Sequence, residues 1–239
     1  MNTIDMHMTL GALVNEHPEM ARVFERLQID YCCGGGQSLA DACVSRGLDL
    51  VATSYELAAA VTGGEVNDWI SMGAAQLVDH LESTHHRYLW DEMPRLSALV
   101  AKIVAVHGER HAELRDVARC YEEVRSDLEP HLLKEERVLF PMIRELAAAE
   151  LAPSFHCGSL RNPITMMLRE HDTVGDLLAR LRRLTNGYAP PSDGCASYVA
   201  CLAGLAELEA DTHLHIHKEN NVLFPLVLRR EAELAAARD

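Results

Sequence analysis

An imidazole and a carboxylate recur at matched places in this chain. Residues 131–141 and 215–225 both read His-x-x-Lys-Glu-x-x-Val-Leu-Phe-Pro, offset by 84 residues (215 − 131). A helix stacks residues i and i+4 on one face, one turn apart. His131 therefore sits with Glu135, and His215 with Glu219. Two matched His–Glu pairs point to a metal site with internal two-fold symmetry.

Periodicity shows which way the pairs face. Helical steps give Val117, Tyr121, Val124, Leu128, His131, Glu135, Val138 and Met142, and in the second copy Cys201, Leu205, Leu208, Thr212, His215, Glu219, Val222 and Leu226. Each set is an apolar stripe of the kind that packs into a bundle core, and each holds its His and Glu at core positions. A carboxylate buried without a partner costs several kcal/mol, and a bound cation offsets that cost.

Two further stripes carry one inward histidine each. One runs through His86, Leu89, Met93, Leu96, Val100 and Ile103; the other through Ile164, Met167, His171, Val174, Leu178 and Leu181. The offset of 85 residues (171 − 86) fits the same repeat. In an up-down-up-down bundle, the starts of the first and third helices lie level with the finishes of the second and fourth. His86, His131, Glu135, His171, His215 and Glu219 are thus expected to meet at one level. Four imidazoles and two carboxylates suit two metal ions bridged by the carboxylates. The oxygen and nitrogen donor set favours iron, with manganese or zinc chemically tolerated, and leaves an oxo or hydroxo bridge and an open position for a small molecule.

The second reactive stretch is Asp30 to Ser38, in which Cys32 and Cys33 precede three glycines and the expected start of a helix. Glycines let a backbone turn its N–H groups toward an anion, and a helix N-terminus favours thiolate. The reading is a reactive or metal-accepting thiol pair. A structural zinc site is disfavoured, because four ligands at the usual spacings are missing.

These groups need helices to hold them. The chain has 239 residues, 48% hydrophobic but only 5% aromatic, a composition suited to an all-α fold. The predicted architecture is an up-down four-helix bundle over 69–239, preceded by a small helical domain over 1–61 and a linker over 62–68. The bundle helices are expected at about Ser71–Val106, Glu109–Ala148, Ile164–Thr185 and Cys195–Ala236, with Pro94 a candidate kink and Pro141 and Pro225 marking a kink or last turn. In the N-terminal part, Thr9 and Ser38 read as helix caps, Pro18 as a first-turn residue, and Thr53 with Glu56 as a capping box.

A net charge of −14 excludes nucleic acid and anionic membrane as natural partners. No apolar run is long enough to span a bilayer, and the opening residues lack the features of a signal peptide. Seven scattered cysteines suit a reducing compartment, so a cytoplasmic location is expected.

The remaining histidines read differently. His107 lies on the first stripe but about 30 Å from His86, as a helix-end or core residue. His85 points away from His86, and His80 is placed to line an approach. His213 and His217 read as surface residues. Glu136, Glu170 and Asn220 adjoin ligand candidates and read singly as solvated helix faces.

The repeated motif, with His86 and His171 in their contexts, resembles a hemerythrin-like domain. The Asp30–Leu39 segment resembles the short N-terminal domain of the iron–sulfur cluster repair di-iron proteins (the RIC family), and the likeness covers nearly the whole chain. It implies a di-iron centre on the six residues above, bridged by Glu135 and Glu219, with Cys32 and Cys33 as functional cysteines. The chain departs from that family in its third glycine, where a basic residue is expected, and in His217. The resemblance further implies a cytoplasmic stress protein that restores iron–sulfur clusters damaged by nitric oxide or peroxide. Iron donation to the damaged protein is the first expectation, with the cysteines docking the target, relaying iron or supplying electrons. Reduction of nitric oxide at the di-iron site is the second, and nitric oxide or dioxygen sensing the third. Both a monomer and a homodimer are compatible with the sequence.

Overall fold

The computed structural model describes residues 4–61 and 68–237, so most of the expected linker lies outside the described residues. Among the described residues there is no strand. Four short helices come first: α1 (Leu10–Glu16), α2 (Met20–Leu27), α3 (Leu39–Arg46) and α4 (Leu50–Ala60). Thr9 and Ser38 cap α1 and α3 by accepting from Ala12 and Asp41 N–H. The expected Thr53–Glu56 box does not form. Asp49 caps α4 instead, accepting from Ala52 N–H, and Thr53 is buried one turn inside the helix. Leu50 and Leu57 both carry that helix inward, so the apolar pattern began earlier than the Thr53 signal suggested. Pro18 sits in the turn just before α2 and not within its first turn. Leu10, Met20, Phe24, Tyr31, Leu39 and Leu57 anchor a core belonging to this unit.

The bundle has four runs. The first comprises α5 (Ala74–Leu81) and α6 (Arg87–His107); the second, α7 (Leu114–Lys134) and α8 (Phe140–Ala148). The third is α9 (Arg161–Leu184), and the fourth comprises α10 (Ala196–Lys218) and α11 (Phe224–Ala236). The second run starts later than expected, after a turn over 108–113. The helix α6 continues through Pro94. α6 packs on α7 and α10, and α9 packs on the same two, closing the bundle.

Three of the four runs are joined by one wide π-helical turn each: Glu82–His86, Glu135–Leu139 and Glu219–Leu223. In each, an N–H reaches back five residues, from Arg87 to Glu82, Phe140 to Glu135 and Phe224 to Glu219. The extra residue rotates everything that follows by roughly a quarter turn. This corrects two stripe positions. Val138 is 41% exposed, and Leu226 is only half-buried. Leu139, Phe140, Leu223 and Phe224 take the inward places. A wide turn also eases the clash that Pro141 and Pro225 would make in a regular helix.

The bundle core is divided. One apolar cluster runs from Leu89 to Leu208 through all four runs, and another gathers Trp69, Leu77, Leu81, Phe140, Ile164 and Phe224. Between them lies a buried polar layer.

A candidate metal centre

The polar layer holds His86, His131, Glu135, His171, His215 and Glu219, all at most 1% exposed. Their ligating atoms fall into two overlapping groups. One comprises His86, His215, Glu135 and Glu219; the other, His131, His171, Glu135 and Glu219. Both carboxylates belong to both groups. Nε2 of His86 lies 3.4 Å from Glu135 Oε2, and Nε2 of His131 3.3 Å from the same atom. Nε2 of His171 is 3.1 Å from Glu219 Oε2, and that of His215 3.3 Å from Glu219 Oε1.

Protons decide what this layer can do. His86 Nδ1 is 3.0 Å from Glu136 Oε1, His131 Nδ1 3.0 Å from Glu170 Oε2, and His171 Nδ1 2.8 Å from Asn220 Oδ1. Those oxygens only accept, so each Nδ1 carries the hydrogen and each Nε2 turns a lone pair inward. The Nε2 atoms of His131 and His171 face each other at 3.1 Å. All four oxygens of Glu135 and Glu219 are buried without a hydrogen-bond partner, as is Nε2 of both His86 and His215. Acceptors facing acceptors in a dry layer repel unless protons or cations lie among them. Without a cation, such a layer would take up protons. Burial alone would lower the His131 imidazolium, but Glu135 and Glu170 raise it to about 10. The desolvated Glu135 carboxyl is held well below its usual range by His131 and His86. Divalent metals satisfy the same lone pairs, so the donor set fits two cations.

Glu136, Glu170 and Asn220 are therefore more than the solvated faces they resemble in sequence. Each fixes an imidazole from behind, a role that orients metal ligands. Glu136 also accepts from Trp90 Nε1 at 2.8 Å. His131 and then Lys134 hold the Glu170 carboxyl down to about 2, against the effect of burial. Phe140 packs 5.2 Å from the His86 ring and Phe224 6.1 Å from the His171 ring, closing the layer on one side.

The N-terminal unit covers the other motif face. His217, expected at the surface, is fully buried between Tyr31 and Trp69, with Nε2 3.0 Å from Asn15 Oδ1. His213 contacts Glu25 Oε1 at 2.7 Å. Both were misplaced because nothing in the sequence says where the first sixty residues dock. The adjacent His85 is buried too, stacked on the His215 ring at 5.5 Å. Its Nε2 lies 2.8 Å from Lys218 Nζ, which also reaches His80. His107 lies outside the layer, on the stripe where it was expected.

Cys32 and Cys33 sit where the N-terminal unit meets the second motif. Asp30 shapes the loop, its carboxylate accepting from the N–H groups of Cys32, Cys33 and Gly34. Those N–H groups therefore serve a carboxylate and not a sulfur. The expectation of a lowered thiol fails at Cys32: contact with the Cys33 sulfur at 3.9 Å, burial and the Asp30 carboxylate push its thiol well above the ordinary range. Asp30, Cys32 and Cys33 form the third group of side chains close enough to share an ion. Asn221 and Asn220 donate to the Cys32 carbonyl at 3.0 and 3.3 Å. Asn220 thereby touches both the cysteine loop and His171. A side chain on Gly35 would collide with Asn221, its Cβ falling 2.3 Å from Oδ1, whereas Gly36, the unexpected third glycine, has open space.

Comparison with known proteins agrees with this layout. The family model of the hemerythrin HHE cation-binding domain matches residues 77–227. The chain is 33% identical to the iron–sulfur cluster repair protein YtfE of an Enterobacter species, over 93% of this chain and 97% of that one. The chain belongs to the iron–sulfur cluster repair protein family. Proteins of the same name from Citrobacter koseri and Escherichia coli are 32% identical over the same shares. A domain family of unknown function (DUF542) matches residues 6–61 of this family member. No described helix is long and apolar enough to cross a membrane.

Proposed function

We propose that this chain repairs damaged iron–sulfur clusters in other proteins by delivering iron from a two-iron store in the buried layer. One observation carries the reading: four unpartnered carboxylate oxygens face four imidazole Nε2 atoms in a buried layer closed on one side by Phe140 and Phe224. His86 and His215 would hold one ion, His131 and His171 the other, with Glu135 and Glu219 shared. Bound iron supplies a cation that a depleted cluster can take up. Everything else is done by the chain. Glu136, Glu170 and Asn220 keep the lone pairs turned inward. Glu135 and Glu219 retain negative charge in a dry site, where it attracts cations most strongly. Asn220 and Asn221 hold Cys32 and Cys33 beside the second motif, where soft sulfur ligands can receive iron and pass it outward.

The damaged protein is the partner, the cytoplasm is the compartment, and nitric oxide and dioxygen are the small ligands such a site would admit. The test uses iron-loaded protein mixed anaerobically with an enzyme whose cluster has been depleted. Wild type should restore that enzyme's activity. The Cys32→Ala/Cys33→Ala double variant should keep its iron and lose repair; unchanged repair removes the cysteines from the path.

A further inference from the structure

The far end of the bundle holds a second sulfur site. Cys195 is exposed, immediately before α10, and its Sγ lies 3.2 Å from Nε2 of His107. His107 is only 3% exposed and packs edge-on against Tyr198 at 5.3 Å. Its Nδ1 is 3.4 Å from Arg110 Nη2. Arginine only donates, so Nδ1 accepts and Nε2 carries the hydrogen that points at the sulfur. A fixed N–H donor and a helix N-terminus both favour thiolate over thiol. The His107 imidazole first, then the N–H groups of the first turn of α10, bring the Cys195 thiol down to about 7. The other charged groups here are His111 and Asp193, paired with each other at 2.9 Å, and Glu113, 3.0 Å from His111.

The geometry points to Cys195, held by His107, as a nucleophilic thiolate that takes up low-molecular-weight disulfides. No other cysteine stands ready to bridge with it. Cys120 and Cys201 are buried in the bundle core, Cys157 contacts Met142 beyond the polar layer, and Cys32, Cys33 and Cys43 belong to the N-terminal unit. The second sulfur therefore comes from outside. Cys195 Sγ attacks one sulfur of the disulfide, forming a mixed disulfide. The original S–S bond breaks, and the departing thiolate takes a proton from solvent. Cys195 is oxidised as the leaving sulfur is reduced, so no further oxidant is needed. This site lies about 30 Å along the helix from His86 and is independent of any metal.

The test is reaction of the full chain with glutathione disulfide, mapped by peptide mass spectrometry across pH. The mixed disulfide is expected at Cys195 with a half-maximal rate near pH 7. His107→Gln should slow it at pH 7 about three- to tenfold, since the lost thiolate fraction is partly offset by greater nucleophilicity. The wild-type pH profile serves even where His107→Gln folds poorly. A midpoint at or above about 8.5, the value of a free cysteine, would overturn the inference. So would reaction with hydrogen peroxide but not with glutathione disulfide.

Discussion

The two copies of the repeated motif share a skeleton and differ in what surrounds it. Both present a His, a Glu, a π turn and an inward Leu–Phe pair. In the first copy, Lys134 is exposed and, with His131, holds Glu170. In the second, the residue in Glu170's place is His85, and Lys218 is buried between His85 and His80. His131 thus has a carboxylate behind its Nδ1, whereas His215 Nδ1 has no partner and its ring is stacked on an imidazole. Glu136 is replaced by Asn220, and exposed Arg137 by Asn221, which holds the cysteine loop. The two halves of the centre match, while the surroundings of the second copy differ where the N-terminal unit packs against it.

The largest effect should test the symmetry itself. Glu135→Leu and Glu219→Leu should each abolish binding of both metals, because each carboxylate serves both groups. Each metal-free Leu variant should be less stable than metal-free wild type by about 3–5 kcal/mol, since removing one carboxylate leaves the buried imidazoles that face it without their partner. Metal analysis and urea unfolding check both halves. Loss of only one ion in either variant would show that the carboxylates are not shared.

The next test breaks only the docked side. Arg182 bonds Glu25 of the N-terminal unit and buried Glu209 of α10. Arg182→Met leaves Glu209 buried and unpaired, at a cost of about 3–5 kcal/mol. Urea unfolding should show this loss, together with faster labelling of Cys32, while the ligands of the first copy keep their geometry.

A matched pair sharpens the contrast. Glu136→Ala and Asn220→Ala both remove the acceptor behind an imidazole, and each should weaken metal binding about 10–100-fold. Only Asn220→Ala should also speed thiol labelling at Cys32, because only Asn220 touches the loop. Equal labelling in the two variants would mean that the loop is held without it.

The smallest effect lies at the lysines. Lys134→Ala should change stability by no more than about 1 kcal/mol, as expected of an exposed ion pair. Lys218→Ala strips a donor from two imidazoles, of which only His85 is buried, and should cost about 1–3 kcal/mol for that one acceptor left unpaired. Equal costs would show that Lys218 is not held as tightly as its burial indicates.

The skeleton of this comparison was legible in the sequence. Stripe periodicity fixed the inward faces of His86, His131, His171 and His215, and helix direction brought them to one level. The π turns were not legible, because one added residue leaves no mark on local composition. They displaced Val138 and Leu226 from the core. The second copy's surroundings were hidden for another reason. His217, Asn220 and Asn221 look like polar surface until the N-terminal unit is placed against them, and that docking depends on contacts between residues some 190 positions apart, such as Tyr31 and Asn221. The Cys32 thiol was misjudged because the Cys33 sulfur, burial and the Asp30 carboxylate, which also takes the N–H groups of the loop, all act against thiolate.

The most direct measurement is metal stoichiometry with the near-ultraviolet spectrum, on protein purified in air and again after anaerobic reduction. Shared carboxylates between two imidazole pairs should give two irons per chain, with ultraviolet absorption that is lost on reduction. No iron, or a single zinc per chain, would contradict the two-iron centre and leave the cysteine loop as the remaining place for metal chemistry.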